Sequence, residues 1–136
     1  MLDLFRVAFP LRQRGFRGKR WVNVALRTAH LLGVAGMGGA LLGGVAQTAW
    51  LPYLYLTLAT GLAMMALELW SSAIYLLQVR GQATLLKVAL LAAIPLTPGL
   101  EAPVVALTIV ISGVVSHAPA SVRYYSVFHG RVLDAL

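Results

Sequence analysis

Residues 51–67 of this chain read LPYLYLTLATGLAMMAL, a run without a single charged side chain. A helix that crosses a bilayer needs about 20 predominantly apolar residues, whereas a soluble core does not need so long an uncharged run. The composition agrees, because 60% of the 136 residues are hydrophobic and only 11% are charged, with a mean hydropathy of +0.82. These values are typical of membrane proteins. We therefore predict an all-α integral membrane protein with one domain.

Further apolar segments lie on both sides of this run. The predicted membrane segments cover residues 21–44, 51–78, 84–96 and 103–117. The last two are short for full spans, and the Pro95, Pro98 and Gly99 cluster separates them. We predict a four-transmembrane-helix bundle over residues 21–117. A re-entrant hairpin made by the last two segments is the alternative.

The basic residues lie at alternate connections between these segments. Six of the eleven precede the first segment, namely Arg6, Arg12, Arg14, Arg17, Lys19 and Arg20. The first and third connections have none, whereas Arg80 and Lys87 lie near the second, and Arg123 and Arg131 follow the fourth segment. Because Lys and Arg accumulate on the cytoplasmic side, the N- and C-termini are predicted to be cytoplasmic. The expected location is the inner membrane of a bacterium.

Both ends of the chain are predicted to lie on the membrane surface. Residues 1–20 form an amphipathic basic arm, and residues 118–136 form an interfacial tail that begins as a helix with Ser121 as its N-cap. The net charge of +7 is concentrated beside the first segment. This placement favours anionic lipid headgroups as the partner, and we expect no binding of nucleic acid. Because the chain has no cysteine, disulfides and thiolate metal sites are excluded.

The first segment is rich in small residues at a spacing of four. Gly36 and Gly44 share one row, and Gly39 and Gly43 share a second row. Such patterns allow the backbone of another helix to approach closely. We predict that these four glycines form a helix-packing face. A bundle of this size is also expected to form a homo-oligomer or to join a larger membrane complex.

A few ionisable residues lie inside apolar segments, where charge is costly and usually marks a site or a pairing. They are Arg27, His30, Glu68 and Lys87. At a rise of about 1.5 Å per residue, His30 lies roughly 13 Å from the cytoplasmic end of its segment and Glu68 roughly 15 Å from the end of its own. We therefore predict a depth-matched pair of His30 and Glu68, with Arg27 on nearly the same helix face as His30. Lys87 is shallower and is expected to snorkel to the headgroups.

Two interpretations of this polar set stay open. In the first, Glu68 pairs with Arg27 or is protonated, and the set only holds helices together. In the second, the set binds a ligand or moves protons, as intramembrane His and Glu often do. The histidine and methionine residues of these segments suggest haem b or copper as the cofactor, since imidazole and thioether groups are ligands of both. The candidate haem ligands are His30, from one subunit or from two, and His117 with His129, because His117 differs from His30 in depth by about two turns. The candidate ligands of a metal ion are His30, Met37, Met64 and Met65, although methionine is also common core filler.

Residues 26–44 read LRTAHLLGVAGMGGALLGG. This segment resembles the first helix of small four-helix membrane families related to copper-resistance protein D, which carry a histidine, a few small or apolar residues and then an aromatic-x-Gly-Gly turn. Met37, Gly38 and Gly39 stand where that turn falls, so the aromatic is missing here. The resemblance implies a compact four-helix bundle, in some members with a haem or metal near the first-helix histidine. That residue is His30.

Three functions follow from these features. The first is a small redox or metal-handling membrane component, in which His30 is the ligand, Glu68 accepts a proton or supports the ligand, and Arg27 balances a carboxylate. The second is a non-catalytic accessory subunit that docks through the glycine face. The third is a subunit of a proton- or cation-coupled transporter. We take the first as the working prediction and leave enzymatic activity open, because no catalytic triad or phosphate-binding loop is present.

Overall fold

The computed structural model of the protein describes residue 10 and residues 13–133, and this part of the chain is mostly helical. The long helices are α1 (Lys19–Leu42), α2 (Gln47–Ser71), α4 (Val79–Ala93) and α5 (Glu101–His117), with the single turn α3 (Ile74–Leu77) between α2 and α4. A 3₁₀ turn (Ile94–Leu96) extends α4. The short helix α6 (Ala120–Arg123) then leads into a hairpin of β1 (Tyr125–Ser126) and β2 (Arg131–Val132).

Three helical stretches are long and apolar enough to cross a membrane. They are Lys19–Leu42, Gln47–Ser71 and Val79–Leu96. Helix α5 is also apolar but has 17 residues, which corresponds to about 26 Å and is slightly less than a hydrocarbon core of about 30 Å. The prediction of a helical membrane protein is therefore confirmed at the level of three candidate spans.

The second predicted segment, residues 51–78, is two helices rather than one. Helix α2 ends at Ser71, where Ser72 takes an extended conformation with φ −170° and ψ 129°. The Ser72 hydroxyl then accepts a hydrogen bond from the backbone N–H of Ile74 at 3.3 Å. A serine that bonds to nearby backbone competes with the helix in this way. Helix α4 consequently begins at Val79 and not at residue 84, which lengthens the third segment.

The four long helices pack side by side in pairs. The most extensive contact joins α1 to α2, and α4 packs along α5, while α2 also contacts α4 and α1 contacts α5. The buried apolar core is formed by Met37, Trp50, Leu54, Leu91, Ile94 and Val105. Helix α1 and helix α4, with the 3₁₀ turn that follows α4, contribute core residues from their C-terminal halves. Helices α2 and α5 contribute core residues from their N-terminal halves. The core therefore lies at the end of the helices opposite the basic arm and the tail.

The close approach of α1 to α2 depends on glycine. A Cβ at Gly33 would overlap the hydroxyl of Thr57 and lie 3.1 Å from the Tyr53 carbonyl oxygen, and a Cβ at Gly36 would overlap the Tyr53 ring. Of the four glycines predicted to pack, Gly36 therefore contacts α2 directly. Gly33 is an additional contact that the four-residue pattern did not single out.

The other predicted packing glycines have different surroundings. A Cβ at Gly39 would meet nothing within 4 Å, and one at Gly43 would meet only the end of its own helix and Val45. Gly44 has φ +64° and turns the chain after α1. Within the described part of the chain, an added Cβ at any of these three glycines would meet no other helix, whereas α2 crosses α1 at Gly33 and Gly36.

The basic arm is tied to the end of α2. The Arg14 N–H donates to the carbonyl oxygen of Ser71 at 3.1 Å, and the Lys19 ammonium donates to the Ser71 hydroxyl. Phe16 packs edge-on against Trp70 with 5.9 Å between ring centroids. Cationic groups are favourable at a helix C-terminus, where carbonyl groups lack intrahelical partners. The amphipathic segment predicted at residues 1–9 lies outside the described residues.

The tail is a hairpin and not the interfacial helix predicted from Ser121. Helical structure ends at Arg123, and Tyr125 and Ser126 then pair with Val132 and Arg131. Gly130 supplies the left-handed turn conformation with φ +62°. Leu133 is only 1% exposed, and its carbonyl accepts a hydrogen bond from the Gln78 side chain at 2.5 Å. Burial of Leu133 against the α3–α4 connection therefore overrides the helical pattern of the tail.

Candidate functional site

A cleft of about 750 Å³ lies among α1, α2, α4 and α5, and it extends from the apolar core toward the arm and tail. Its lining includes all the ionisable and methionine residues that the sequence singled out, namely Arg27, His30, Met37, Met64, Met65, Glu68, Lys87 and His117. Apolar side chains, including Leu31, Val34, Leu58 and Leu91, line the same cleft. The fold thus gathers the predicted polar residues around one space that has polar and apolar walls.

His30 is held in a defined tautomer by Thr60. The Nδ1 atom of His30 lies 3.0 Å from the Thr60 hydroxyl oxygen, and that hydroxyl donates its only proton to the Leu56 carbonyl oxygen at 2.6 Å. Thr60 therefore accepts the hydrogen bond from His30, and the proton of the neutral imidazole resides on Nδ1. Nε2 then carries the free lone pair. Gly61 makes room for this arrangement, since a Cβ there would lie 3.3 Å from Cε1 of the imidazole.

The Nε2 atom of His30 has no side-chain hydrogen-bond partner within residues 13–133. Nδ1 is the ring atom that bonds to a side chain, that of Thr60. The imidazole ring lines the cleft. Histidines that ligate metals usually have the other ring nitrogen fixed by a hydrogen bond, which orients the ring. His30 has this arrangement.

Glu68 does not pair with His30, contrary to the prediction. Its carboxylate forms an ion pair with Arg80 at 3.5 Å, and its position is three residues before the end of α2 at Ser71. Thr60 is the residue level with His30, so Glu68 lies eight positions, or about 12 Å, further along the helix. The predicted depth match used residue 78 as the end of the helix. The break at Ser72 removes that match.

Arg80 organises the polar end of the cleft, which the sequence did not indicate. Besides its ion pair with Glu68, its Nε donates to the Gln78 side-chain oxygen at 2.7 Å. Its guanidinium carbon also lies 5.1 Å from the ring centroid of Tyr75 and 4.8 Å from that of Tyr124. Arg80 therefore joins α2, the α3–α4 connection and the tail. A sequence shows that Arg80 follows an apolar segment but not that two distant aromatic rings meet it.

Tyr75 belongs to the same polar end. Its hydroxyl donates to the Thr84 hydroxyl at 2.8 Å, and Thr84 in turn donates to the Arg80 carbonyl oxygen at 2.9 Å. Burial raises the pKa of Tyr75, while the hydrogen bond to Thr84 and the nearby Arg80 charge act in the opposite direction. The phenol is therefore protonated at neutral pH and serves as a hydrogen-bond donor.

Lys87 and Arg27 occupy different parts of the cleft. The Lys87 ammonium donates to the Ser112 hydroxyl at 3.0 Å, so its predicted snorkelling to the headgroups is replaced by a contact between α4 and α5. Arg27 is exposed and lies on the α1 side of the cleft. The alternative pairing of Arg27 with Glu68 is not formed, because Glu68 contacts Arg80.

The predicted metal ligands differ in their surroundings. Met37 is 1% exposed and belongs to the apolar core, whereas Met64 and Met65 are half-buried. His117 is exposed at the end of α5. Within the described residues, no group of three or more His, Asp or Glu side chains is placed to hold a metal ion. The described residues therefore do not supply the three or more such ligands that a bare metal ion needs. They do supply one histidine, which is enough for a cofactor that takes one or two ligands from the protein.

Comparison of this chain with protein-family models, with curated proteins and with solved structures finds no match.

Proposed function

We propose that this chain is a small redox component of the bacterial inner membrane, which spans the bilayer four times and holds haem b in the cleft among α1, α2, α4 and α5. The cytoplasmic placement of both termini is part of the proposal. It is supported by the basic residues, which cluster before and in the first turn of α1, recur at Arg80 in the first turn of α4, and follow α5 at Arg123 and Arg131. The connection from α1 to α2 and the turn from α4 to α5 contain none.

The His30–Thr60 hydrogen bond carries the haem proposal. It leaves the lone pair on Nε2 of His30, which would hold the haem iron, and it orients the ring. Histidine is the commonest proximal ligand in haem proteins. The cleft that His30 lines has a volume of about 750 Å³, which is within the range of cofactor sites.

The other walls of the cleft fit the two ends of such a cofactor. Leu31, Val34 and Leu58 line the cleft and offer apolar contact for the porphyrin. Arg27 and Lys87 supply positive charge for the carboxylates. Bound haem would supply one-electron transfer, and the protein would tune it through the axial histidine, its hydrogen bond to Thr60 and the burial of the site.

A proton-coupled transporter and a copper(I) site have less support than haem. A proton-coupled transporter needs His30 and Glu68 to work together, but Glu68 is held by Arg80 at the end of α2. Of the predicted ligands of a copper(I) site, namely His30, Met37, Met64 and Met65, Met37 is packed in the apolar core. Membership of a homo-oligomer or a larger membrane complex is compatible with the haem proposal and remains part of it.

Haem binding is tested by reconstituting detergent-solubilised protein with haem b and recording its absorption spectrum. We expect a Soret band at a ratio near one haem per chain, and we expect that His30→Ala abolishes it. The matched control is His129→Ala, because His129 is bonded to Ser126 in the tail hairpin and is not part of the cleft lining. Equal haem binding by His30→Ala and the unaltered chain, or no binding by the unaltered chain, would contradict the proposal.

The proposed topology is tested separately with single cysteines, since the chain contains none of its own. We expect a membrane-impermeant maleimide to label Val45→Cys and Pro98→Cys in spheroplasts. Gly15→Cys and His129→Cys are expected to react only after the membrane is opened. Labelling of Pro98→Cys only after opening would replace the four-span topology with a re-entrant hairpin.

A further inference from the structure

Arg123 carries a buried hydrogen-bond donor that lacks an acceptor. Arg123 lines the end of the cleft near the tail, and among the described residues its Nε atom is buried without a hydrogen-bond partner. Leaving a donor of a charged group buried and unpaired is costly, and such atoms in native structures usually have a water or an ion as partner. The site therefore indicates an acceptor that comes from outside the described chain.

The positive charges around Arg123 favour an anion as the missing acceptor. The guanidinium carbons of Arg80 and Arg123 lie 4.8 Å and 5.6 Å from the ring centroid of Tyr124, so both charges lie beside one aromatic ring. Glu68 offsets the charge of Arg80, whereas Arg123 forms no ion pair within residues 13–133. Ser116 and His117, at the end of α5, line the same cleft and add polar groups.

The position of this site indicates where the anion comes from. Trp21 and Trp70, at the arm end of α1 and the matching end of α2, are 75% and 45% exposed, as interfacial aromatic anchors are. The Arg123 end of the cleft is thus at the level of the lipid headgroups. In the proposed topology this is the cytoplasmic leaflet, and basic pockets between transmembrane helices on that side bind anionic headgroups.

We propose that the cleft end formed by Arg80 and Arg123 binds the phosphate of an anionic phospholipid from the surrounding leaflet. A guanidinium offers several N–H donors in a planar array that suits phosphate oxygens. A bound phosphate would therefore accept the hydrogen bond from the unpaired Nε of Arg123. The proposal rests on the proposed topology and not on haem, because Arg80 and Arg123 are separate from the His30–Thr60 pair.

Two other anions could accept the same hydrogen bond from Arg123. Inorganic phosphate is one of them. The carboxylate of Asp134, the residue directly after the last described one, is the other. A test must therefore separate a lipid phosphate from a free phosphate and from the chain's own carboxylate.

The test measures binding of short-chain phosphatidylglycerol to delipidated full-length protein in a neutral detergent, with phosphatidylcholine as the uncharged comparison. We expect phosphatidylglycerol to raise the melting temperature by several degrees more than phosphatidylcholine does. Arg123→Gln is expected to weaken the binding of phosphatidylglycerol about 10-fold or more, as loss of a charge-assisted hydrogen bond to phosphate should. Because each variant is compared between two lipids, a lower starting stability of Arg123→Gln does not affect the result.

Control variants make the outcome specific. Arg131→Gln removes a basic residue of the tail hairpin that does not line the cleft, and it should keep the preference for phosphatidylglycerol. His30→Ala should keep it as well, which separates this proposal from haem binding. An unchanged preference in Arg123→Gln would overturn the proposal. An equal shift with inorganic phosphate, or a preference that appears only in Asp134→Asn, would also overturn it.

Discussion

The imidazole of His30 and the hydroxyl of Thr60 meet across the interface of α1 and α2, with 3.0 Å between Nδ1 and Oγ1. This contact fixes how the two helices are aligned along their axes, and the contact of Gly33 with Thr57 repeats the same alignment one turn further on. It also determines which nitrogen of His30 keeps a free lone pair. One hydrogen bond thus links the packing of the two longest helices to the chemistry of the cleft.

Replacing Thr60 by valine tests this link. Valine has nearly the shape of threonine but cannot accept the hydrogen bond from Nδ1, so the His30 ring loses its orienting partner. We expect haem affinity to fall about 10- to 100-fold, as is typical when such a supporting contact is removed. A haem titration followed by the Soret band measures the change. Thr28→Val is the control, because Thr28 is exposed and bonds only to Val24 of its own helix, and equal affinities in the two variants would contradict the prediction.

Adding a methyl group at Gly33 tests the packing of α1 on α2. A Cβ there meets the backbone nitrogen of Thr57 at 3.0 Å and the Tyr53 carbonyl oxygen at 3.1 Å, so the helices must separate. We expect Gly33→Ala to lower the free energy of unfolding by about 1–3 kcal/mol. Gly38→Ala, which meets nothing within 4 Å, should be neutral or stabilising by up to about 1 kcal/mol because alanine favours helix. Thermal unfolding in detergent compares the two, and equal destabilisation would show that the interface is elsewhere.

Arg80 and Glu68 are expected to differ in importance although they form one ion pair. The pair is partly exposed, with side chains 25% and 33% accessible, so its loss in Glu68→Gln should cost less than about 1 kcal/mol. Arg80→Gln also removes the hydrogen bond to Gln78 and two contacts with aromatic rings, and each such ring contact contributes about 0.5–1 kcal/mol at exposed sites. Denaturation of both single variants and the double variant measures the difference. A larger effect of Glu68→Gln would contradict the role given to Arg80.

Because the pKa of Tyr75 is raised in the folded protein, we expect the protein to lose stability at alkaline pH. An ordinary tyrosine ionises near pH 10, and burial raises the pKa of Tyr75 in the folded protein. Folding therefore favours the protonated phenol, so the contribution of Tyr75 is constant below about pH 10 and falls as the pH rises from there through the folded pKa. Unfolding measured from pH 8 upward should show a steeper decline in the unaltered chain than in Tyr75→Phe. Parallel profiles would contradict this prediction.

The helical membrane character of the protein was predictable because it depends on composition and local pattern. The apolar run from Leu51 to Leu67 requires a helix in lipid, where every backbone polar group must be paired within the segment. The set of site residues was also recognisable, since Arg27, His30 and Lys87 are chemically unusual inside apolar segments. What these residues contact was not predictable, because Ser72 interrupts the second helix through a local hydrogen bond that the hydropathy pattern does not show.

The tail shows the same limit. Its aromatic and basic residues suggested an interfacial helix, but Leu133 is buried and bonded to Gln78, a residue far away in the chain. A local pattern contains no information about such a distant partner.

The amino-acid sequence by itself thus indicated the membrane helices, their basic flanks and the ionisable residues that line the cleft, because these follow from the cost of placing charge and unpaired backbone in hydrocarbon. The tertiary structure alone established the pairing of His30 with Thr60 and of Glu68 with Arg80. Helix alignment is set by side-chain contacts such as those at Gly33, and a shift of two turns, about 11 Å, exchanges one polar partner for another without changing the hydropathy of either helix.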